Sequence, residues 1–378
     1  MKLVVVGGGI MGLATARAAA AAGHAVELIE QGPLANPLAS SWDHSRLIRY
    51  TYGAKHGYAA MVRDAFAANA ALFAAIGVDL YVETGTLVLV RGRDRAAEAS
   101  RHSLEALAVP HEVLDAAAVA ARFTPLATDD LAWALYTPTG GVIRAAALLD
   151  ALVADLAERR EVTLHPHRRV VAIDAETGVV TDADGHRVAG DKVLVTAGPW
   201  LAQLMPELAG HARPSRQIAL DVEMDAAARA AWAGMPMVLD GVAARGSGFY
   251  AVPPVAGLAL KIGDHAFSLT GHPDRDRLPS ADERARILEL ARRSLRHGAD
   301  LRLLDARSCF YTVAPQERFV ARERGRALVL TGFSGHGFKF GALVGAMVAR
   351  WLDGAVAGAA LARWLAGDDP TLPARTAP

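Results

Sequence analysis

Residues 2–30, KLVVVGGGIMGLATARAAAAAGHAVELIE, constrain the fold more than any other stretch of the chain. Leu3 to Val6 is a short apolar run, as expected of a strand buried on both faces. Gly7, Gly9 and Gly12 follow as G-x-G-x-x-G where that strand turns into a helix. In such a turn Gly7 permits the bend, Gly9 lets backbone approach a pyrophosphate, and Gly12 lets the helix lie against the strand. The Ala-rich helix, predicted over 14–22, stops at Gly23. A second strand, Val26 to Ile29, ends in Glu30, placed to accept hydrogen bonds from a ribose 2′-hydroxyl. The unit therefore reads as a dinucleotide site. A carboxylate at position 30, with no basic residue next to it, repels a 2′-phosphate and disfavours NADP. The fingerprint by itself does not separate NAD from FAD.

At 378 residues the chain is long for one core, so two domains or one elaborated domain are expected. Forty basic and forty acidic side chains cancel, which argues against a nucleic-acid partner. No apolar run is long enough to span a bilayer. The apolar start carries the glycine fingerprint and lacks a basic leader beyond Lys2, so it is not read as a signal peptide. A single cysteine, Cys309, excludes an internal disulfide and agrees with the cytoplasm.

After Glu30 comes ASSWDHSRLIRYTYG, Ala39 to Gly53. Arg46 and Arg49 stand three apart, and on a helical turn would face one region and suit an anion; a salt-bridged surface loop is the other reading. Further on, the pattern predicts a helix over 59–76 and strands over 86–90, 162–165, 170–174 and 193–196. Thr181 to His186, TDADGH, is a hairpin turn signal. His165 and His167 lack a third ligand at sensible spacing and read as surface, so no metal is expected. RQIALDVEM, SGFYAVPP and GLALKIGDH then read as strands, with Lys261 on the face opposite Leu260 and Ile262. Ser280 to Glu283 is a capping box opening a helix over 281–295.

Seven stretches, VGGGIMG, SRLIRYTYG, TGTLVLV, LVTAGPW, GLALKIGDH, SCFYTVAPQERF and GFSGHGFKFGALVG, occur in the order found in one family. From near residue 1 to about 350 the chain resembles the flavin-dependent amine oxidases of the D-amino-acid oxidase superfamily, in the branch of monomeric sarcosine oxidase and N-methyl amino acid oxidases. The resemblance implies an α/β fold: a Rossmann-type FAD-binding domain (1–80, 141–213 and 306–378) and a mixed or antiparallel-sheet substrate domain (81–140 and 214–305). It implies FAD bonded covalently through Cys309, and Lys261 activating dioxygen beside the flavin. His265 falls near the substrate amine and Arg46 near the flavin ring. Arg49 and Lys339 correspond to the pair that holds a substrate carboxylate, Tyr250 and Tyr311 to pocket tyrosines. Gly335, His336 and Gly337 belong to a glycine-rich loop against the flavin, followed by a helix near Ala342.

The implied reaction oxidises a secondary or cyclic amine bearing a carboxylate to an imine, with hydrogen peroxide as the second product. The partners would be a small amine and dioxygen, and the protein a cytoplasmic monomer. Asp264, Tyr50 and 256–258 depart from the family pattern and leave the substrate side chain open. A flavin dehydrogenase using another acceptor, or a nicotinamide-dependent dehydrogenase, would share the first thirty residues.

Overall fold

A computed structural model describes residues 1–241, 248–296, 301–369 and 371. Ser247, at the head of one expected strand, and 372–378, the tail assigned to the FAD domain, lie outside the described residues.

The N-terminal strand Lys2–Val6 lies inside a six-stranded sheet, ordered 320–324, 327–331, 192–195, 2–6, 25–29, 162–165. Its strands run parallel except the edge strand Val320–Arg324, which is antiparallel to Ala327–Thr331. Leu3, Val4 and Val5 are fully buried, as a strand covered on both faces requires. Helix Ile10–Ala21 covers one face and packs against helix Gly341–Leu352. Glycine makes that approach possible: a Cβ on Gly345 would lie 2.7 Å from the Ala14 carbonyl. The first and last thirds of the chain are therefore joined in one core.

A second sheet has eight strands, ordered 302–313, 213–223, 260–264, 249–252, 237–240, 86–90, 133–137, 112–114. Its pairs are antiparallel except for Met237–Asp240 against Thr86–Val90. The fold is thus α/β, with a Rossmann-type sheet beside a mixed, mainly antiparallel one. The boundary expected at 305/306 falls inside strand Arg302–Val313, which continues unbroken because both halves pair with Arg213–Glu223.

Local signals formed as read. TDADGH joins strands Val179–Asp182 and Arg187–Ala189. At helix Ala281–Ser294 the Ser280 hydroxyl accepts from Glu283 N–H (3.2 Å), and the Glu283 carboxylate accepts from Ser280 N–H (2.7 Å). No helix among the described residues is long and apolar enough to cross a membrane.

What places the site is the pleat of the larger sheet. Lys261 pairs with Asp221, which pairs in turn with Asp305, so all three share a face. Period two adds Arg307, Cys309 and Tyr311 from one strand, and Gly263 with its partner Tyr250 from the others.

Candidate active site

One end of the site is built from backbone. Gly7 has φ +106°, and a Cβ there would lie 2.5 Å from the Thr196 carbonyl oxygen. A Cβ on Gly12 would lie 1.9 Å from the Gly7 oxygen, so helix and turn meet only because position 12 has no side chain. Glu30 is buried, and its carboxylate accepts from Gly8 N–H (2.7 Å), Gly32 N–H (3.0 Å) and Asn36 Nδ2 (2.9 Å). A carboxylate accepts about four hydrogen bonds, so one position remains for a ribose hydroxyl. Gly7, Gly9, Glu30, Thr196 and Gly198 line one cavity, which Arg168 and Arg169 also border. Gly9, Ser40, Ser41, Thr196 and Gly198 continue into a second cavity walled by Arg46, Tyr311, Gly335 and Gly337. Two joined cavities with a glycine floor and an acid at the far end suit an elongated dinucleotide. The residues present fit FAD.

The second part is built from buried charge. Asp43 stands between three cations: Lys261 Nζ donates to its Oδ2 (2.9 Å), Arg46 Nη1 donates to the same oxygen, and Arg307 donates to Oδ1 through Nε (3.0 Å) and Nη2 (2.7 Å). Burial would raise the carboxyl, but Lys261, Arg46 and Arg307 together hold it well below the usual carboxylate range. Lys261 also donates to the Ser45 carbonyl (2.6 Å). Burial lowers this lysine to about 8 against the opposing pull of Asp43. It is only 3% exposed. Arg46 is raised, because Asp43, with smaller help from the Cys309, Tyr311 and Tyr250 side chains, outweighs its burial. Cys309 is half-buried, and burial pushes its thiol up against the pull of Arg46. Gly335 meets Tyr311 closely, with 2.3 Å from a Cβ there to the Tyr311 ring.

The third part is an outer cavity of about 700 Å³, bordered by Arg49, Tyr52, His265, Phe267, Glu317 and His336 among others. Lys339 Nζ lies just behind it, donating to Tyr52 Oη (2.9 Å) and the His336 carbonyl (2.9 Å). His336 faces the Glu317 carbonyl at 3.0 Å, and a carbonyl only accepts, so Nε2 carries the proton. Its Nδ1 then accepts from Tyr52 Oη–H (3.3 Å). Burial and Lys339 keep the His336 imidazole neutral. His265 falls to about 4, through burial and then Arg49. Lys339 is lowered well below the usual lysine range by burial and by Arg49; Arg49 is itself lowered by burial. Arg49 Nη1 donates to Thr51 O and to Thr51 Oγ1 (3.0 Å). The acid nearby, Glu317, is engaged by Lys55 (2.5 Å).

The two arginines three apart do not face one region. Arg46 sits on strand Ser45–Ile48 and Arg49 just beyond it, where an odd spacing sends side chains to opposite sides. Arg46 joins the inner charge cluster and Arg49 the outer cavity. Of the departures singled out in the sequence, Asp264 and Tyr50 do not lie at the site. Asp264 follows Ile262 onto the other face and pairs with Arg286 (2.5 Å) of helix Ala281–Ser294. Tyr50 is buried in the core against Phe66. His165 is held by Glu27 (2.8 Å) on the sheet edge. Among the described residues Asp182, Asp184 and His186 lie close enough to hold a metal, but Arg168 already occupies Asp182 (2.6 Å).

Sequence reading missed Asp43, Asp221 and Arg307. Arg307 was within reach, since it stands two residues before Cys309 and so on the same strand face. Asp43 carried no such signal, because two of its three cationic partners, Lys261 and Arg307, lie 218 and 264 residues away.

Comparison with known proteins places the chain in a family. The family model described as DAO, FAD dependent oxidoreductase, matches residues 2–351. Monomeric sarcosine oxidase from Bacillus sp. (strain NS-129) is 27% identical over 366 residues, covering 92% of each chain. N-methyl-L-tryptophan oxidase from Citrobacter koseri is 28% identical, covering 93% of this chain and 94% of that one. Among solved structures, L-proline dehydrogenase from P. horikoshii superimposes with a TM-score of 0.82 at 17% identity over 97% of both chains.

Proposed function

The chain belongs to the DAO family of FAD-dependent oxidoreductases, and we propose that it oxidises a secondary or cyclic amine that carries a carboxylate. The observation that carries this reading is the pair Arg49 and Lys339. Lys339, buried, and Arg49, half-buried, stand together at the outer cavity, each kept below its usual range, with the nearest acid already held by Lys55. A substrate carboxylate would supply the missing counter-charge. The sarcosine and N-methyl-L-tryptophan oxidases similar to this chain bear names of that substrate class.

Bound FAD supplies the two-electron acceptor that turns the amine into an imine, and dioxygen takes those electrons onward to hydrogen peroxide. The chain supplies the rest. Gly7, Gly9 and Gly12 admit the dinucleotide, Glu30 receives its ribose, and Gly335 and Gly337 open the inner wall. Cys309 is the residue we assign to covalent attachment, its thiol beside Arg46. Arg49 and Lys339 anchor the carboxylate, while Tyr250 and Tyr311 border the substrate. With three cations in the neighbourhood, an ammonium is disfavoured and the amine binds neutral. His265, neutral above about pH 4, accepts a hydrogen bond there and adds no charge. Lys261 is the cation beside which oxygen gains electrons. We read the protein as a cytoplasmic monomer, its one thiol in keeping with the cytoplasm.

The test is anaerobic bleaching of the flavin absorbance by sarcosine, N-methyl amino acids and L-proline, each against its methyl ester. Bleaching by the acids and much weaker bleaching by the esters is expected. Equal rates for acid and ester would remove the carboxylate site. Hydrogen peroxide formed mole for mole with imine on admitting air separates an oxidase from a dehydrogenase. Acid precipitation tests the thioether, with yellow colour staying in the pellet and lost from it in Cys309→Ala.

A further inference from the structure

The Asp43 carboxylate is oversubscribed. Its Oδ1 accepts from Arg307 Nε and Nη2 and from His44 N–H (2.8 Å); its Oδ2 accepts from Lys261 and Arg46. That is five donors for about four lone pairs, and three positive groups for one negative. Arg307 reaches across from the edge strand of the sheet and is forked over a second acid, with Nη1 on Asp221 (2.7 Å) and Nη2 on its other oxygen (3.0 Å). Asp305 lies on the same guanidinium (3.1 Å).

We propose that Arg307 is a positioning residue that governs the charge on Lys261 by competing with it for Asp43. This rests on the reading of Lys261 as the cation that serves oxygen. A guanidinium does not give up its proton in a protein, so of the three cations the lysine is the one that yields. Every charged or titratable group facing it from the packed elements enters the balance. Arg46 comes from strand Ser45–Ile48 of a separate sheet and Asp43 from the bend just before it, and His44 stands 4.0 Å from Asp221. Asp221 comes from the neighbouring strand Arg213–Glu223, Arg307, Cys309 and Tyr311 from the edge strand beyond it, and Tyr250 from the neighbour on the other side. Asp43 favours the charged lysine; Arg46 and Arg307 oppose it. Asp221 decides how much of the Arg307 charge falls on Asp43. The pH at which the site loses its oxygen-facing cation is therefore set by Asp221 on the adjacent strand and Arg307 on the strand beyond it.

The opposite signs expected at two positions make the test. The chain has five lysines, Lys2, Lys55, Lys192, Lys261 and Lys339. Lysine labelled with ¹³C at Cε therefore gives a spectrum simple enough to assign with Lys261→Met. In the flavin-loaded protein without amine, Arg307→Met is expected to move the Lys261 titration midpoint up by about one pH unit. Asp221→Asn should move it down, and Arg307→Lys should leave it near the parent value. A merely structural role predicts something else: loosening lets water in, and both Arg307→Met and Asp221→Asn would drift up toward an ordinary lysine. That result, or no movement in either, overturns the proposal. Should Arg307→Met not fold, a downward move in Asp221→Asn with no move in Arg307→Lys supports it, and any other pair of results overturns it. No substrate is present in the measurement, so failure to oxidise any amine would remove the proposed function and leave this result standing.

Discussion

The two ends of the groove solve the problem of close approach in opposite ways. At the nucleotide end the tight positions are glycines: Gly7 takes φ +106° with no penalty, and Gly12 has nothing to collide with Gly7 O. At the proposed substrate end, residues with side chains take the left-handed backbone: Gln316 and Glu317 both at φ +57°, and Ser334 at +47°. One end needs backbone to come close to a dinucleotide. The other needs particular side chains in particular places, and bears backbone strain and buried charge to have them.

Gly12→Val should break the first end outright. Its Cβ cannot fit 1.9 Å from a backbone oxygen, so helix Ile10–Ala21 must leave the strand, and with it the close packing on Gly345. Purified protein without flavin, or no folded protein, is expected. A yellow, normally stable variant would show that the glycine turn is not what holds the dinucleotide.

Asp43→Ala attacks the other end and should rank next. It leaves Lys261, Arg46 and Arg307 buried with one acid fewer, a loss of about 3–5 kcal/mol by denaturant unfolding. Adding Lys261→Met should restore part of it, because the double variant removes charge of both signs. If Asp43→Ala costs no more than an ordinary surface change, the cluster is hydrated and the comparison between the two ends weakens.

Those two residues also show what was legible in the sequence. Strand, glycine turn, helix, strand and acid lie within thirty consecutive positions, and each obeys a local rule. The nucleotide end could be read directly. Lys261, Cys309, Arg49 and Lys339 came from likeness to a family, and alternation along strands then explains why several share one face. Asp43 could not be read, because its meaning comes from strands that fold back from beyond residue 260. The Arg46–Arg49 pair misled for a related reason: spacing three joins side chains on a helix and separates them on a strand, and nothing local fixed which it was. Asp264 misled because its difference from the family drew attention, although alternation from Ile262 already turns it away from Lys261.

The charge at the outer cavity gives a smaller, graded effect. Binding an anion between Arg49 and Lys339 raises the lysine back toward its usual range, so binding takes up a proton. For a carboxylate inhibitor, affinity should be highest below the depressed Lys339 value. It should fall by up to about tenfold per pH unit as pH rises through that value. Calorimetry in buffers of different ionisation heat should show the uptake directly. Lys339→Met should weaken binding and abolish both the slope and the uptake. An unchanged slope in that variant would take the titrating group elsewhere.

Smallest in size, yet aimed at the comparison itself, is Gln316→Gly. Left-handed backbone costs an ordinary residue about 1–2 kcal/mol, and glycine is spared this. Glycine in turn loses more freedom on folding, by about 0.5–1 kcal/mol. The two nearly offset, so thermal stability should rise slightly or stay level, while a mid-strand glycine would lower it. Amine turnover then separates two reasons for tolerating strain at the cavity wall. If the side chain is there for the substrate, the Michaelis constant for an N-methyl amino acid rises while stability does not fall. If neither changes, Gln316 holds its conformation only because Glu317, pinned by Lys55 and by the His336 contact to its carbonyl, leaves the chain no other path. The strain at this end would then belong to the placing of charge and not to recognition.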